Sequence, residues 1–127
     1  MNWIFVLLLR LILYMTNNSQ TFYGLGIAPN ILKRLDTLGF VKPTPIQQKA
    51  IPIGINGEDL IGIAQTGTGK TLAFSFPMIQ RLFALKRQGL VVCPTRELAI
   101  QVDETLRKVG GSFGLKTAVV IGGRNIE

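Results

Sequence analysis

Hydrophobic residues follow two patterns along this chain, and the first is the spacing of an amphipathic helix. Between Pro29 and Gly39, the side chains of Ile31, Leu35 and Leu38 share one face, while proline suits the first helical turn and glycine suits the end. The same reasoning predicts further helices over residues 46–51, 70–85 and 97–109. The inward-facing residues predicted for the last helix are Leu98, Val102, Leu106 and Val109.

The second pattern is the short continuous apolar run, which is typical of a strand buried on both faces. Such runs occupy residues 60–64, 90–93 and 116–121. Because these predicted strands alternate with the predicted helices, the chain is expected to have an α/β fold of parallel strands alternating with helices. Breaks in these elements are predicted at the turn Asn56-Gly57, at a kink at Pro77 and in a loop over residues 110–114.

The first fifteen residues form a separate, strongly apolar segment. Arg10 interrupts it, and it is shorter than the roughly 20 residues that a membrane-spanning helix needs. No basic residue precedes it and no small-x-small cleavage site follows it, so it does not fit a signal peptide. We interpret residues 1–15 as an extension ahead of a true start at Met15, with a membrane-surface anchor as the alternative.

Charge and cysteine content narrow the functions open to the chain. Lys and Arg number 14 against 7 Asp and Glu, and Asp36 is the only acidic residue before position 58. This excess fits a nucleotide or nucleic-acid partner, with a solvated basic surface as an equal alternative. Since there is no His and only Cys93, the sequence excludes an internal disulfide, a zinc site and a Ser-His-Asp triad. Nothing indicates an oxidising compartment, and we expect a cytoplasmic protein.

The clearest chemical signal is the sequence AQTGTGKT at residues 64–71, which matches a phosphate-binding loop between a predicted strand and a predicted helix. Gly67 and Gly69 permit backbone angles that turn N–H groups toward one anion, and the helix that follows adds its positive end. Lys70 can reach the terminal phosphates, and the Thr71 hydroxyl can bind Mg²⁺. The predicted nucleotide-binding residues of this loop are Ala64, Gln65, Thr66, Gly67, Thr68, Gly69, Lys70 and Thr71, the last two with catalytic roles.

Further motifs flank this loop. Residues 39–47 read GFVKPTPIQ, with Phe22 seventeen positions before Gly39, residues 94–99 read PTRELA, and a glycine pair ends at Gly123. In this order they resemble the Q motif, motif Ia and paired glycines of the DEAD-box RNA helicases, whose motif I has the same AQTGTGKT form. The resemblance implies a partial RecA-like P-loop domain over residues 16–127, with the Q motif at 20–48.

The resemblance also implies ATP and Mg²⁺ as cofactors. Gln47 would bind the adenine edge, because a carboxamide pairs with N6 and N7 as acceptor and donor together. Phe22 would stack on the face of the base. The structural alternatives are an exposed helix residue for Gln47 and a core aromatic for Phe22.

RNA is the implied partner, contacted through its backbone and therefore without sequence preference. Thr95, Arg96 and Gly123 would contact the phosphates. For Arg96 the alternative is an ion pair with Asp103 or Glu104 on its own helix.

The implied activity is that of an ATP-dependent RNA helicase. The family's Asp-Glu-Ala-Asp motif and second RecA-like domain are not found within these 127 residues, so we expect the chain alone to hydrolyse ATP negligibly and not to unwind RNA. An unfinished three-stranded sheet is also expected to be unstable or prone to associate. The alternatives are another P-loop helicase or translocase acting on DNA, and a non-catalytic nucleotide- or RNA-binding module.

Overall fold

A computed structural model describes Leu8 and residues 21–123, and helices dominate this part of the chain. The prediction for residues 1–15 lies outside the described residues except at Leu8. None of the helices in the described part is long and apolar enough to cross a membrane. The α-helices are α1 (Pro29–Thr37), α2 (Pro45–Asn56), α3 (Lys70–Leu85) and α4 (Arg96–Gly110), and short 3-10 turns occupy Phe22–Gly24 and Gly111–Phe113.

The boundaries of the first three helices follow from local sequence signals. Helix α1 begins at Pro29 as predicted, and the chain leaves it through Gly39, whose φ is 78°. Helix α2 runs further than predicted and ends at Asn56. Gly57 follows it with a φ of 79°, which confirms the turn at Asn56-Gly57. Helix α3 has the predicted bounds and continues through Pro77.

Helix α4 confirms most of its predicted inward face. Val102, Leu106 and Val109 are buried, whereas Leu98 is 36% exposed, so its assignment to the inward face is wrong. The helix begins after Thr95, whose hydroxyl accepts a hydrogen bond from the Leu98 N–H at 3.2 Å. Leu98 lies in this first turn, where the packed face of the helix has not yet begun.

The prediction of a loop over residues 110–114 is also wrong at its first residue, Gly110. Gly110 belongs to α4, and a 3-10 turn follows at once. Gly110 is buried, and a Cβ added to it would lie 2.6 Å from Leu115 Cδ2. Glycine here therefore allows close packing at the end of the helix and does not mark a loop.

The core forms where α3 packs between α2 and α4. Its fully buried side chains include Ile51 of α2, Phe76 and Ile79 of α3, and Val109 of α4. Burial of such a side chain stabilises the fold by about 1.5–3 kcal/mol. The N-terminal segment joins this core through Phe22, whose ring meets Phe76 edge-on at 6.0 Å.

Two side-chain contacts fasten the N-terminal segment to the helices. The Gln80 side chain on α3 accepts a hydrogen bond from the Ala28 N–H at 2.8 Å and donates one to the Gly26 carbonyl at 3.1 Å. On the surface, the Tyr23 hydroxyl donates to Asp36 at 2.6 Å. This hydrogen bond to a carboxylate, with the charge of Asp36, raises the pKa of Tyr23.

The predicted strands are not formed in the described residues. The segments 60–64, 90–93 and 116–121 are present, but no β-ladder involves them, and no backbone hydrogen bond links one to another in the part of the chain that is described. The expectation that these runs are buried on both faces is wrong. Ile61, Ile63, Leu90 and Val92 are between 85% and 91% exposed.

The physical reason is the spacing of these segments. An apolar cavity of about 390 Å³ is lined on one side by Leu60 and Gly62 and on the other by residues 91–93. A larger groove of about 910 Å³ is lined by residues 87–96 and 114–122. Strands pair only when their backbones lie about 4.8 Å apart, and here open space separates them. The helices cover one face of the segments, and the opposite face is open.

The close contact between Gly54 on α2 and Pro77 on α3 predicts how a substitution at position 54 changes the stability of the fold. A Cβ added to Gly54 of α2 would lie 2.8 Å from Pro77 Cβ on α3. We expect Gly54→Ala to lower the free energy of unfolding by about 1–3 kcal/mol, because the rigid proline ring cannot move aside. Urea unfolding followed by circular dichroism measures this change.

Gly111→Ala is the matched control, because the structure leaves open space at that position and its φ is −60°. It should change stability little or raise it by a few tenths of a kcal/mol. Equal destabilisation by the two substitutions would contradict the close contact between Gly54 and Pro77.

Candidate functional site

The loop at residues 64–71 joins the extended segment 60–64 to α3. Its two glycines take the left-handed conformation, with φ values of 77° for Gly67 and 83° for Gly69, and a residue with a Cβ is strained at either one. Gln65, Thr66 and Gly67 are exposed, and the Thr68 hydroxyl donates to the Gln65 carbonyl at 2.5 Å, which closes the loop internally.

The N–H groups at the start of α3 are available to a ligand. No side chain caps this helix and no acidic residue stands in its first turn. Among the described residues, the backbone N–H groups of residues 66–71 donate no hydrogen bond. Unpaired N–H groups at a helix N-terminus carry a partial positive charge and suit an anion such as a phosphate group.

Lys70 and Thr71 stand at this helix end. The Lys70 side chain is exposed, and its ammonium group donates to the Ala64 carbonyl at 2.5 Å, so it reaches back across the loop. The Thr71 hydroxyl makes no hydrogen bond within the described residues, while the Thr71 carbonyl accepts one from Ser75. A hydroxyl oxygen is a hard ligand of the kind that Mg²⁺ accepts beside phosphate oxygens.

Gln47 is held directly against this loop. Its Oε1 accepts a hydrogen bond from the Thr44 N–H at 3.0 Å, and its Nε2 donates to the Gly69 carbonyl at 3.1 Å. The residue is only 3% exposed, so the alternative of an exposed helix residue is wrong. The structure thus brings Gln47 and the loop together, although 22 residues separate Gln47 from Gly69.

The contact between Gln47 and Gly69 depends on the missing side chain at position 69. A Cβ there would lie 2.3 Å from Gln47 Nε2 and 3.3 Å from Thr44 Oγ1. Thr44, which is not among the residues predicted for the site, is the N-cap of α2 and forms a capping box with Gln47. The sequence signal for Thr44 is the capping-box pattern, a Thr followed three residues later by Gln at the start of a helix.

Phe22 is not brought to the loop. Its side chain is 2% exposed and belongs to the core, where it packs on Phe76. This position agrees with the alternative of a core aromatic. Stacking of Phe22 on a base remains a prediction, and it requires the ring to leave this packing.

A second cluster joins the start of α4 to the turn at Gly122-Gly123. The Arg96 guanidinium lies on this turn, where a Cβ added to Gly122 or Gly123 would be 3.4 Å from a terminal nitrogen of Arg96. Gly123 also has a φ of 81°. Thr95, the N-cap of the same helix, is exposed beside Arg96. The three residues predicted to contact RNA are therefore neighbours.

The alternative role for Arg96, an ion pair on its own helix, is not observed. Asp103 instead pairs with Arg107, whose Nε lies 2.7 Å from Asp103 Oδ2, and this is the salt bridge present in the described part of the chain. Arg96 is exposed and keeps its charge available. Its position over a glycine turn leaves room for a large anion to approach.

Thr71 is the residue predicted to bind Mg²⁺ in this loop. Within residues 21–123, no group of three or more Cys, Asp or Glu side chains is placed to hold a metal ion. The cavity of about 390 Å³ beside Lys70 and Thr71 is lined mainly by apolar side chains, including Ile46, Phe74 and Val102.

Comparison with known proteins identifies relatives of this chain. A sequence model described as DEAD/DEAH box helicase matches residues 44–127. An ATP-dependent rRNA helicase, RRP3 of Yarrowia lipolytica, is 46% identical over 110 residues, which cover 85% of this chain and 23% of that protein. The rrp3 helicase of Schizosaccharomyces pombe is 45% identical over 109 residues, with coverage of 84% and 23%. The chain spans about a quarter of the length of these relatives.

Solved structures show the same relationship in the fold. A DEAD box protein from the hyperthermophile Methanococcus jannaschii superposes with a TM-score of 0.73 at 39% identity, covering 83% of this chain and 30% of that one. The RNA helicase Prp28 from Chaetomium thermophilum, bound to ADP, gives a TM-score of 0.70 at 36% identity, with coverage of 79% and 26%. The matched segment includes the loop, Gln47 and the cluster around Arg96, and the chain belongs to the DEAD/DEAH box helicase family.

Proposed function

We propose that the chain is the ATP-binding front part of an ATP-dependent RNA helicase. The observation that carries this proposal is the set of unpaired N–H groups at residues 66–71, with the Lys70 ammonium beside them and the Gln47 carboxamide fastened to the same loop. Phosphates would bind at the N–H groups, and the base would extend toward Gln47.

Lys70 and Thr71 would act on the phosphate tail. On nucleotide binding, the Lys70 ammonium would exchange the Ala64 carbonyl for oxygens of the terminal phosphates, where its charge counters theirs. The Thr71 hydroxyl would hold Mg²⁺, which supplies charge neutralisation between the phosphates when it is bound. The remaining loop residues orient the tail through backbone N–H groups.

Gln47 would select adenine. A carboxamide has two acceptor and two donor sites, and the contacts with Thr44 and Gly69 occupy one of each. One acceptor and one donor remain, which is the pair that the N6 and N7 edge of adenine requires. Gln47 is only 3% exposed, so a base could reach its carboxamide only if the atoms that cover it moved. Because Gln47 Nε2 donates to the Gly69 carbonyl, such a movement would link base binding to the position of Gly69.

The cluster of Thr95, Arg96 and Gly123 would bind the backbone of RNA. Its exposed guanidinium, a neighbouring hydroxyl and a glycine turn are suited to phosphate contacts, which carry no sequence information. The chain has a net charge of +7, which adds attraction at long range. Hydrolysis and unwinding would require parts of the helicase other than these residues.

Lys70→Ala tests the phosphate site. We expect the affinity for ATP to fall about 10- to 100-fold, because the substitution removes a charge-assisted contact with the phosphates. Titration of a fluorescent ATP analogue in the presence of Mg²⁺ measures the dissociation constant.

Lys49→Ala is the control for Lys70→Ala, since Lys49 is also exposed and also lies on a helix but stands on α2. Its affinity for ATP should match that of the unmodified chain. The phosphate assignment fails if the two substitutions weaken ATP binding alike.

Gln47→Glu tests base selection. The carboxylate keeps an acceptor for the Thr44 N–H but cannot donate to the Gly69 carbonyl or to adenine N7. We expect the preference for ATP over GTP to fall about tenfold, measured as the ratio of their dissociation constants.

Gln48→Glu is the matched control, because Gln48 is the next residue and its side chain donates to the Pro43 carbonyl and not to the loop. Inorganic tripolyphosphate, which has no base, separates the two roles of Gln47. If Gln47→Glu weakens ATP, GTP and tripolyphosphate equally, Gln47 supports the loop and does not read the base.

Arg96→Ala tests the proposed contact with RNA. We expect weaker binding of single-stranded oligouridine and a salt dependence whose logarithmic slope is smaller by about 1, since one phosphate contact is lost. Fluorescence anisotropy between about 50 and 200 mM salt gives this slope. Arg107→Ala is the control, because Arg107 forms a salt bridge with Asp103. If Arg96→Ala leaves the slope unchanged, Arg96 does not contact the RNA phosphates.

A further inference from the structure

The C-terminal end of α3 carries apolar side chains that the proposed nucleotide and RNA sites do not use. Helix α3 has 16 residues, so its end lies about 23 Å from the phosphate loop at its start. Here Phe83 and Leu85 are 42% and 45% exposed, and the Phe83 ring meets Phe113 edge-on at 6.2 Å. Phe113 belongs to the 3-10 turn that follows α4. The aromatic pair therefore fixes an apolar surface at the junction of two helix ends.

Basic residues surround this apolar surface. The sequence ranges that form this end of the molecule, 81–90 and 105–118, contain six Lys and Arg and no Asp or Glu. Lys86, Arg87 and Lys116 are among them, and all three are exposed. The partial negative charge at the C-termini of two helices favours basic residues here, but it does not account for the exposed apolar side chains beside them.

Lys86 is held in a backbone conformation that lysine rarely adopts. Its φ is 52°, and it is the one residue other than glycine with a positive φ in the described part of the chain. It caps the end of α3, where its N–H donates to the Leu82 carbonyl. Glycine at this position would avoid the strain. A residue that is present where another would be more stable indicates a function for its side chain.

The basic and apolar side chains are close enough for one ligand to contact both. Phe83, Arg87 and Lys116 line the same opening, and Lys86 lies between Phe83 and Arg87 in the chain. Carboxylates are complementary to the basic side chains, and an apolar anchor is complementary to the aromatic pair.

Two other kinds of occupant are less complementary to this surface. A second copy of the chain would bring the same basic residues and a net charge of +7, and like charges that meet at an interface oppose association. Single-stranded RNA would need exposed ring faces on which its bases stack. Here the two rings pack edge-on against each other, and Phe113 is only partly exposed.

From these features we propose that this surface is a docking site for a segment of a partner protein in which acidic residues flank an apolar anchor. We name it the 83/113 patch, and it consists of Phe83, Leu85, Lys86, Arg87, Phe113 and Lys116. The patch lies at the other end of α3 from the phosphate loop, so a docked segment would leave the nucleotide site open.

Selection from a displayed library of random peptides tests the patch without prior identification of the partner. The peptides have about 12 residues, which span up to about 40 Å when extended. They are selected on the full 127-residue chain and depleted on the double variant Phe83→Ser, Lys86→Glu, which removes the anchor contact and reverses one charge. We expect the remaining peptides to combine Asp or Glu with Leu, Phe or Trp. A fluorescent synthetic peptide of their shared sequence should bind each single variant at least about tenfold more weakly than the unmodified chain.

Lys86→Gly separates a binding role from a structural one. Glycine relieves the left-handed conformation, so the midpoint of urea unfolding should rise. The affinity for the same peptide should instead fall at least about threefold, because a charge contact is lost. A lysine with only a structural role would not change the two properties in opposite directions. Lys49→Ala on α2 is the control and should leave peptide binding unchanged.

Several different results would overturn the proposal. One is that no peptide depends on the patch, or that the peptides which do so lack acidic residues. Another is that oligouridine or phosphatidylserine vesicles, and not peptides, bind with a dependence on Phe83 and Lys86. A third is that analytical ultracentrifugation shows a dimer that Phe83→Ser dissociates, since a second copy would then occupy the patch. None of these measurements contains ATP, so their outcome is independent of the proposed nucleotide site.

Discussion

The contact between the Gln47 carboxamide and the Gly69 carbonyl is the interaction that organises this molecule. It joins the start of α2 to the start of α3, and it exists because position 69 has no Cβ to exclude the amide. Gly69 also has a left-handed φ of 83°, which sets the direction in which the chain enters α3. A residue with a Cβ is strained in this conformation. One residue thus satisfies a steric and a conformational condition, and the loop geometry depends on both.

Helix α3 carries stability and the proposed function at different positions. Its first turn leaves N–H groups unpaired beside Lys70, while its middle places Phe76 and Ile79 in the core without exposure. Packing on α2 and α4 therefore fixes the direction in which the N-terminus of the helix points. A phosphate site needs no adjustable side chain here beyond Lys70, because the rigid core supplies the orientation.

The open face of the extended segments has a different consequence. Side chains such as Ile61 and Leu90 are almost fully exposed, and each forgoes about 1.5–3 kcal/mol that burial would supply. The helices alone cover one face, so the hydrophobic layer is complete on only one side. The apolar runs do not pair because open space separates their backbones by more than the spacing of paired strands.

Local signals in the sequence determined the helices, the loop and the family resemblance. Pro29, Gly57 and the glycines of residues 64–71 act within a few residues, so their effects were predictable without a fold. The tertiary structure alone decided the pairing of distant parts: Gln47 against Gly69 and Arg96 over the glycine turn, neither of which follows from spacing. It also decided that the apolar runs remain unpaired and that Phe22 lies in the core, because strand pairing and burial depend on neighbours that a hydrophobic pattern does not specify.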